Sequence, residues 1–139
     1  MHTRVVALAA LALFVGCGDE LEEFRDDLRP LEQRAQQERS VTSGLLPSLR
    51  LGSLADARGV RAQALELSAT YDEIAALEPP DDYSEPFADY VRANRATVRD
   101  LRQFAAELET GNLRGVRRAS DRVLADLSRA QTASLQWLE

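Results

Sequence analysis

Along four segments of the chain, apolar residues recur every three or four positions, and no stretch alternates regularly between apolar and polar residues. A spacing of three to four places apolar side chains on one face of an α-helix, whereas a half-buried strand requires alternation. Helices with one apolar face bury that face against one another. The sequence therefore predicts an all-α fold, an up-and-down bundle of three to four antiparallel helices.

Turn residues bound three of these helices. One ends at Glu78-Pro79-Pro80, because a residue before proline disfavours helical conformation. The next begins near residue 84, and the last follows Thr110-Gly111-Asn112, where Gly111 suits a left-handed cap and Asn112 an N-cap. The positions on their predicted inner faces are Val60, Ala64, Leu67, Tyr71, Ile74 and Leu77; Phe87, Val91, Asn94, Val98, Leu101, Ala105 and Leu108; and Leu113, Val116, Ser120, Val123, Leu127, Ala130 and Trp137.

The first helical segment is less regular than the other three. Pro30 interrupts it, which predicts a kink just before this proline or a later helix start. Residues 40–53 contain Gly44, Pro47 and Gly52 and are predicted to form a connector. Its apolar positions are Leu21, Phe24, Leu28, Leu31 and Ala35.

The N-terminus has the order of features found in an export signal. Arg4 precedes an apolar run over residues 5–15, which is shorter than the roughly 17–25 residues of a membrane-spanning helix. The run ends at Gly16-Cys17 and resembles the lipobox of bacterial lipoproteins, in which a small residue precedes a lipidated cysteine. The resemblance implies a signal peptide over residues 1–16, cleavage before Cys17, and two or three acyl chains, palmitate among them, on Cys17.

The alternative is an ordinary secretory signal peptide that leaves Cys17 as a buried thiol. Phe14 argues against it, because cleavage of that kind needs small residues at −1 and −3. In the lipoprotein interpretation, residues 17–139 form a single helical domain held to a membrane. Gly18 rather than Asp follows Cys17, which by resemblance to Gram-negative lipoproteins implies the outer membrane, facing the periplasm, rather than the inner membrane.

Two corners of the chain support this resemblance. Leu77-Glu78-Pro79-Pro80, with Gly111-Asn112 some thirty residues later, is similar to the helix corners of many short helical lipoproteins of unknown function. The likeness implies a helical bundle and says little about activity.

Composition restricts the chemistry of the domain. The only histidine, His2, precedes Cys17, and Cys17 is the only cysteine. Catalytic sites based on histidine or a free thiol and His- or Cys-ligated metal sites are therefore not expected. We predict a non-enzymatic protein without a cofactor or a metal. A carboxylate-dependent hydrolase of envelope polymers remains a poorer alternative, because the distance between carboxyl groups is set by tertiary structure.

Arginine is unevenly distributed. Residues 17–85 hold 7 arginines against 16 acidic residues, whereas residues 86–139 hold 9 against 7. Arginine clusters suit an anionic partner, an envelope protein or another anionic envelope component, or they pair with the acidic first helices. Nucleic acid is not expected for an exported acidic domain. The clusters are Arg92, Arg95, Arg99 and Arg102 on one helix, and Arg114, Arg117, Arg118 and Arg122 on the next.

Other polar residues suggest a different site. Asn94 lies on an apolar face, where an amide fixes helix register or, together with Tyr71, contacts a small ligand in the core. A bundle that binds a small ligand or a cation is thus the alternative to an interaction module. Two acidic clusters are interpreted as solvent-exposed charge; they are Asp19, Glu20, Glu22, Glu23, Asp26 and Asp27, and Glu78, Asp81, Asp82 and Glu85.

Overall fold

The computed structural model describes residues 16–138, and within them it contains helices and turns but no strand. The four helices are α1 (Gly16–Leu45), α2 (Leu54–Ala75), α3 (Ser84–Thr110) and α4 (Leu113–Leu138). The predicted all-α class is confirmed. The export signal, apart from Gly16, lies outside the described residues, and Cys17 lies in the first turn of α1.

The helices pack around a shared core. Contacts join α1 to α2 and to α4, α2 to α3, and α3 to α4. Each helix contributes fully buried side chains to this core, among them Leu28, Leu67, Leu101 and Val123. Burying a side chain of this size stabilises the fold by roughly 1.5–3 kcal/mol. The buried core residues all lie between Phe24 and Trp137. A shortened chain that begins at Gly16 therefore still contains every one of these core residues.

Aromatic side chains close the core where α1 and α3 begin and α4 ends. Trp137 meets Phe24 and Phe87 edge to face, with ring centroids 5.8 and 5.6 Å away. Phe24 and Phe87 meet in the same way at 5.1 Å. Edge-to-face pairs of this kind add roughly 0.5–1.5 kcal/mol to the free energy gained by burial. The last turn of α4 is thereby fixed beside the start of α1.

Two glycine turns meet where α2 begins and α3 ends. Gly52 and Gly111 adopt φ of 76° and 72°, a left-handed conformation that favours glycine. The Gly52 amide donates to the Leu108 carbonyl at 2.9 Å, which joins the two turns. Asn112 Oδ1 accepts from the Gly115 amide at 3.1 Å. The predicted roles of Gly111 as a left-handed cap and Asn112 as an N-cap are confirmed.

The structure corrects the prediction for residues 17–53. Helix α1 continues through Pro30 as far as Leu45, so the connector begins at residue 46 rather than 40. Pro30 lies on the exposed side, while the positions that flank it on the inner side, Leu28, Glu32 and Ala35, are buried. Tertiary packing on both sides of the proline offsets the hydrogen bond that proline removes.

None of the helices within residues 16–138 combines the length and the apolar character needed to cross a bilayer.

We expect Trp137→Ala to lower the free energy of unfolding by about 3–5 kcal/mol, because it removes the indole ring that both Phe24 and Phe87 contact. The matched control is Leu65→Ala on the exposed side of α2, which should change this value by less than about 0.5 kcal/mol. Urea denaturation followed by circular dichroism measures both. Equal effects of the two substitutions would contradict this description of the core.

Candidate functional site

A charged residue lies at the centre of the bundle. The Glu32 side chain is 1% exposed and accepts hydrogen bonds from two other helical positions. Arg39, seven residues later on the same face of α1, donates from Nη2 to Glu32 Oε1, and the Tyr90 hydroxyl of α3 donates to Glu32 Oε2. Arg39 Nη1 also donates to the Tyr71 hydroxyl of α2 at 3.5 Å. One ion pair thus connects α1, α2 and α3.

The network changes the acidity of its members. Burial, followed by the negative charge of Glu32, raises the pKa of Tyr90, and burial raises the pKa of Tyr71. Burial alone would lower the pKa of Arg39, but Tyr71 and Glu32 together raise it above its usual value. At neutral pH both phenols therefore stay protonated and the guanidinium stays charged, so Tyr90 donates to Glu32 while Tyr71 accepts from Arg39.

Sequence analysis did not single out Glu32 and Arg39, although a signal is present. Leu28, Glu32, Ala35, Arg39 and Thr42 follow one another at steps of four, three, four and three, so all five lie on one helix face. All five are buried. A search for apolar residues alone misses charged residues that lie on a buried helix face.

Of the two predicted core contacts, Tyr71 belongs to this network and Asn94 does not. Tyr71 bonds Arg39, whereas Asn94 lies one helical turn after Tyr90 on α3. The Asn94 side chain is 1% exposed, and neither its oxygen nor its nitrogen has a hydrogen-bond partner among the described residues. The prediction that Asn94 lies on the inner face of α3 is confirmed.

Tyr71 also connects the core to the surface. It forms part of the floor of a groove of about 460 Å³ between α2 and α3. Three of the four arginines predicted on α3, Arg95, Arg99 and Arg102, line this groove. The remaining lining residues are Ser68, Asp72, Val98 and Gln103. We call this feature the α2–α3 arginine groove.

The arginines of the first cluster do not pair with the acidic helices α1 and α2. Arg92 pairs with Asp89 and Arg99 with Asp100, both on α3 itself. Arg95 and Arg102 form no ion pair with any residue of the described range 16–138. The acidic helices use other arginines instead, as in Arg34–Glu73 at 2.8 Å.

The second cluster lies elsewhere. Arg114, Arg117, Arg118 and Arg122 are exposed on the first half of α4, and none forms an ion pair with a described residue. The structure therefore separates the two predicted clusters into a groove on α3 and a second surface on α4.

The acidic clusters come together in one cleft. Residues of the first turns of α1 and of the α2–α3 corner line a space of about 680 Å³ around Phe24, Leu77 and Tyr83. Among residues 16–138, no group of three or more acidic, histidine or cysteine side chains is arranged to hold a metal ion. The acids that line the cleft are Glu20, Glu23, Asp27, Glu78, Asp81 and Asp82.

A pair of carboxyl groups lies between α3 and α4. Asp100 and Asp126 are both buried, and each is held by an arginine of its own helix, Arg99 at 3.0 Å and Arg129 at 2.8 Å. Burial and the adjacent Asp100 raise the pKa of Asp126. Each carboxyl group of the pair is thus already bound to an arginine.

We expect Glu32→Ala to lower the free energy of unfolding by about 3–5 kcal/mol, because it leaves the Arg39 guanidinium buried without a carboxylate. Glu22→Ala, which breaks the exposed pair with Arg25, is the control and should cost less than about 1 kcal/mol. Chemical denaturation at neutral pH compares them. Similar losses for both variants would show that the buried network does not hold the helices together.

Comparison of the chain with protein-family models, with curated proteins and with solved structures finds no match. The geometry of residues 16–138, together with the sequence features that precede them, is therefore the basis for assigning a function.

Proposed function

We propose that this chain is a lipid-anchored protein of the bacterial cell envelope whose helical bundle binds an anionic partner in the α2–α3 arginine groove. The partner is an envelope protein or another envelope component that carries phosphate or carboxylate groups. No chemical step is assigned to the bundle. The tether is Cys17, exposed by cleavage of residues 1–16, and the outer membrane facing the periplasm is the proposed location.

We infer an up-and-down antiparallel arrangement for the four helices. The edge-to-face contact of Phe24 with Trp137 supports it, since it places the beginning of α1 beside the end of α4. The hydrogen bond from Gly52 to Leu108 supports it too, since it places the beginning of α2 beside the end of α3. In this arrangement Cys17 and the end of α4 lie at the same end of the bundle.

The proposal of an anionic partner depends on one observation. Arg95 and Arg102 line the groove and have no carboxylate partner among residues 16–138. An arginine fork binds phosphate or carboxylate with two parallel hydrogen bonds. Ser68 adds a hydroxyl group and Gln103 an amide group to the groove wall, and the Tyr71 ring also lines the groove. A single acid, Asp72, lines the same groove, so the described lining is cationic in balance.

The shape of the groove favours an extended anionic group over an isolated ion. Arg95, Arg99 and Arg102 follow each other at steps of four and three along α3, so they span about 10 Å of helix. A chain of linked phosphates or a row of acidic side chains can contact several of these arginines at once. Multiple contacts of this kind also make binding sensitive to ionic strength.

Pyrophosphate is a suitable minimal probe for the groove. We expect it to bind the bundle and to shift the amide resonances of α2 and α3 in NMR spectra. The double variant Arg95→Gln/Arg102→Gln should bind at least about tenfold more weakly, because each charged hydrogen bond that is lost contributes about 1.5–3 kcal/mol.

The double variant Arg114→Gln/Arg118→Gln on α4 is the matched control, since it removes the same charge from another surface. It should retain pyrophosphate affinity to within about twofold of the unsubstituted chain, as expected for exposed charges outside the site. An equal loss of pyrophosphate affinity in both double variants would show that binding depends only on net charge. Absence of pyrophosphate binding would contradict the proposed partner chemistry.

A further inference from the structure

Two aspartates meet between α3 and α4. Asp100 and Asp126 are 9% and 6% exposed, and their carboxyl groups lie within hydrogen-bond reach of each other. The Oδ2 atom of Asp126 is buried and has no hydrogen-bond donor among residues 16–138. Two carboxylates that share a buried position repel each other, which favours a state in which they hold one proton between them. We call these two residues the aspartate pair.

The proton is taken up mainly at Asp126. Burial, followed by the adjacent Asp100, raises the pKa of Asp126. Burial alone would also raise the pKa of Asp100, but the hydrogen bond from Arg99, together with Asp126 and Arg122, lowers it below its usual value. As the pH falls, Asp126 is therefore protonated before Asp100. Its carboxyl group then donates a hydrogen bond to Asp100, which stays ionised.

Arg99 connects the aspartate pair to the α2–α3 arginine groove. Its Nε donates to Asp100 Oδ1 at 3.0 Å, and its side chain, which is 72% exposed, also lines the groove. When both aspartates are ionised, two negative charges attract Arg99 away from a ligand in the groove. Protonation of Asp126 removes one of these charges, so the electrostatic potential at the groove becomes more positive.

Charged groups from three helices surround the pair and the groove. On α4, Arg122 and Arg129 act on the aspartate pair, and Arg129 donates to Asp126 at 2.8 Å. On α2, Tyr71 and Asp72 line the groove opposite Arg99. Burial raises the pKa of Tyr71, so this phenol stays neutral as the pH falls. Asp72 is therefore the other carboxyl group of the groove lining whose titration has to be separated from that of the pair.

We infer that the aspartate pair regulates the α2–α3 arginine groove, so that a proton taken up by the pair weakens the hold of Asp100 on Arg99 and strengthens the binding of an anion. The inference rests on the proposed function, since it concerns the same groove. By thermodynamic linkage the reverse also holds, and an anion bound at Arg99 favours the protonated pair. The groove thus binds its partner more tightly in acid than at neutral pH.

An anion whose own charge does not change with pH is the suitable probe. Ethanedisulfonate carries two linked sulfonate groups that stay ionised in mild acid, whereas pyrophosphate takes up protons. NMR titration measures its affinity at neutral pH and at about pH 4.5, above the usual range of exposed aspartates. The protein is the chain from Gly16 with Cys17→Ser, which contains every described core residue. We expect an affinity about threefold higher at the acid pH, as for one charge removed near a surface site.

Three aspartate variants separate the pair from other carboxyl groups. Asp126→Asn keeps the pair in its neutral, hydrogen-bond-donating form, so it should bind the probe about threefold more tightly at neutral pH and gain little more in acid. Asp121→Asn removes the same charge from an exposed position of α4 and should keep the acid gain. Asp72→Asn removes the carboxylate of the groove and should keep most of it. Circular dichroism confirms that each variant is helical before it is used.

The carboxyl carbon resonances of the unsubstituted chain give a second measurement. The carbon of Asp126 should titrate at higher pH than that of the exposed Asp121, because burial and Asp100 disfavour its ionised form. Addition of ethanedisulfonate should move the Asp126 midpoint to still higher pH, as linkage requires.

Several outcomes would overturn the inference. Titration of Asp126 at or below the midpoint of Asp121 would do so, whatever the groove binds. Equal affinity at the two pH values, or an acid gain that disappears in Asp72→Asn and persists in Asp126→Asn, would also overturn it and would leave the groove as an anion site. Absence of binding of both ethanedisulfonate and pyrophosphate at either pH would contradict the proposed function, and this regulation with it.

Discussion

The Glu32 carboxylate binds three helices together from the middle of the bundle. It accepts from Arg39 on its own helix and from Tyr90 on α3, and Arg39 reaches Tyr71 on α2. A buried charge is tolerated only where such partners surround it, because its transfer from water costs several kcal/mol. Sliding α1 by one turn would leave Glu32 and Arg39 among apolar groups, so the network fixes the register of α1 against α2 and α3.

The register of α1 also determines which side chains lie at the surface. Tyr71 accepts a hydrogen bond from Arg39 in the core and lines the α2–α3 arginine groove. On the far side of the bundle, the packing of Val123, Leu127 and Ala130 against the core leaves Leu124 outside. The bundle thus presents a cationic groove between α2 and α3 on one side and the exposed Leu124 on the other.

The sequence was sufficient for the helical class, the glycine corner and most of the core. Apolar periodicity located Val60 to Ile74 and Phe87 to Leu108 because these residues repeat without interruption. It ended the first helix at residue 40, whereas α1 continues to Leu45, and it placed Leu113 on an inner face although this side chain is 48% exposed. It also missed Glu32 and Arg39, since the pairing that makes their burial possible involves residues up to 58 positions away in sequence. The groove required knowledge of which helices are neighbours.

We propose that this bundle acts while fixed to a membrane through Cys17, and the intact mass of the protein from the membrane fraction tests this most directly. We expect a chain that begins at Cys17 and carries two or three acyl chains, and a Cys17→Ala variant that has lost them and has left the membrane fraction. An unmodified thiol at Cys17, or a mature N-terminus at another residue, would contradict it.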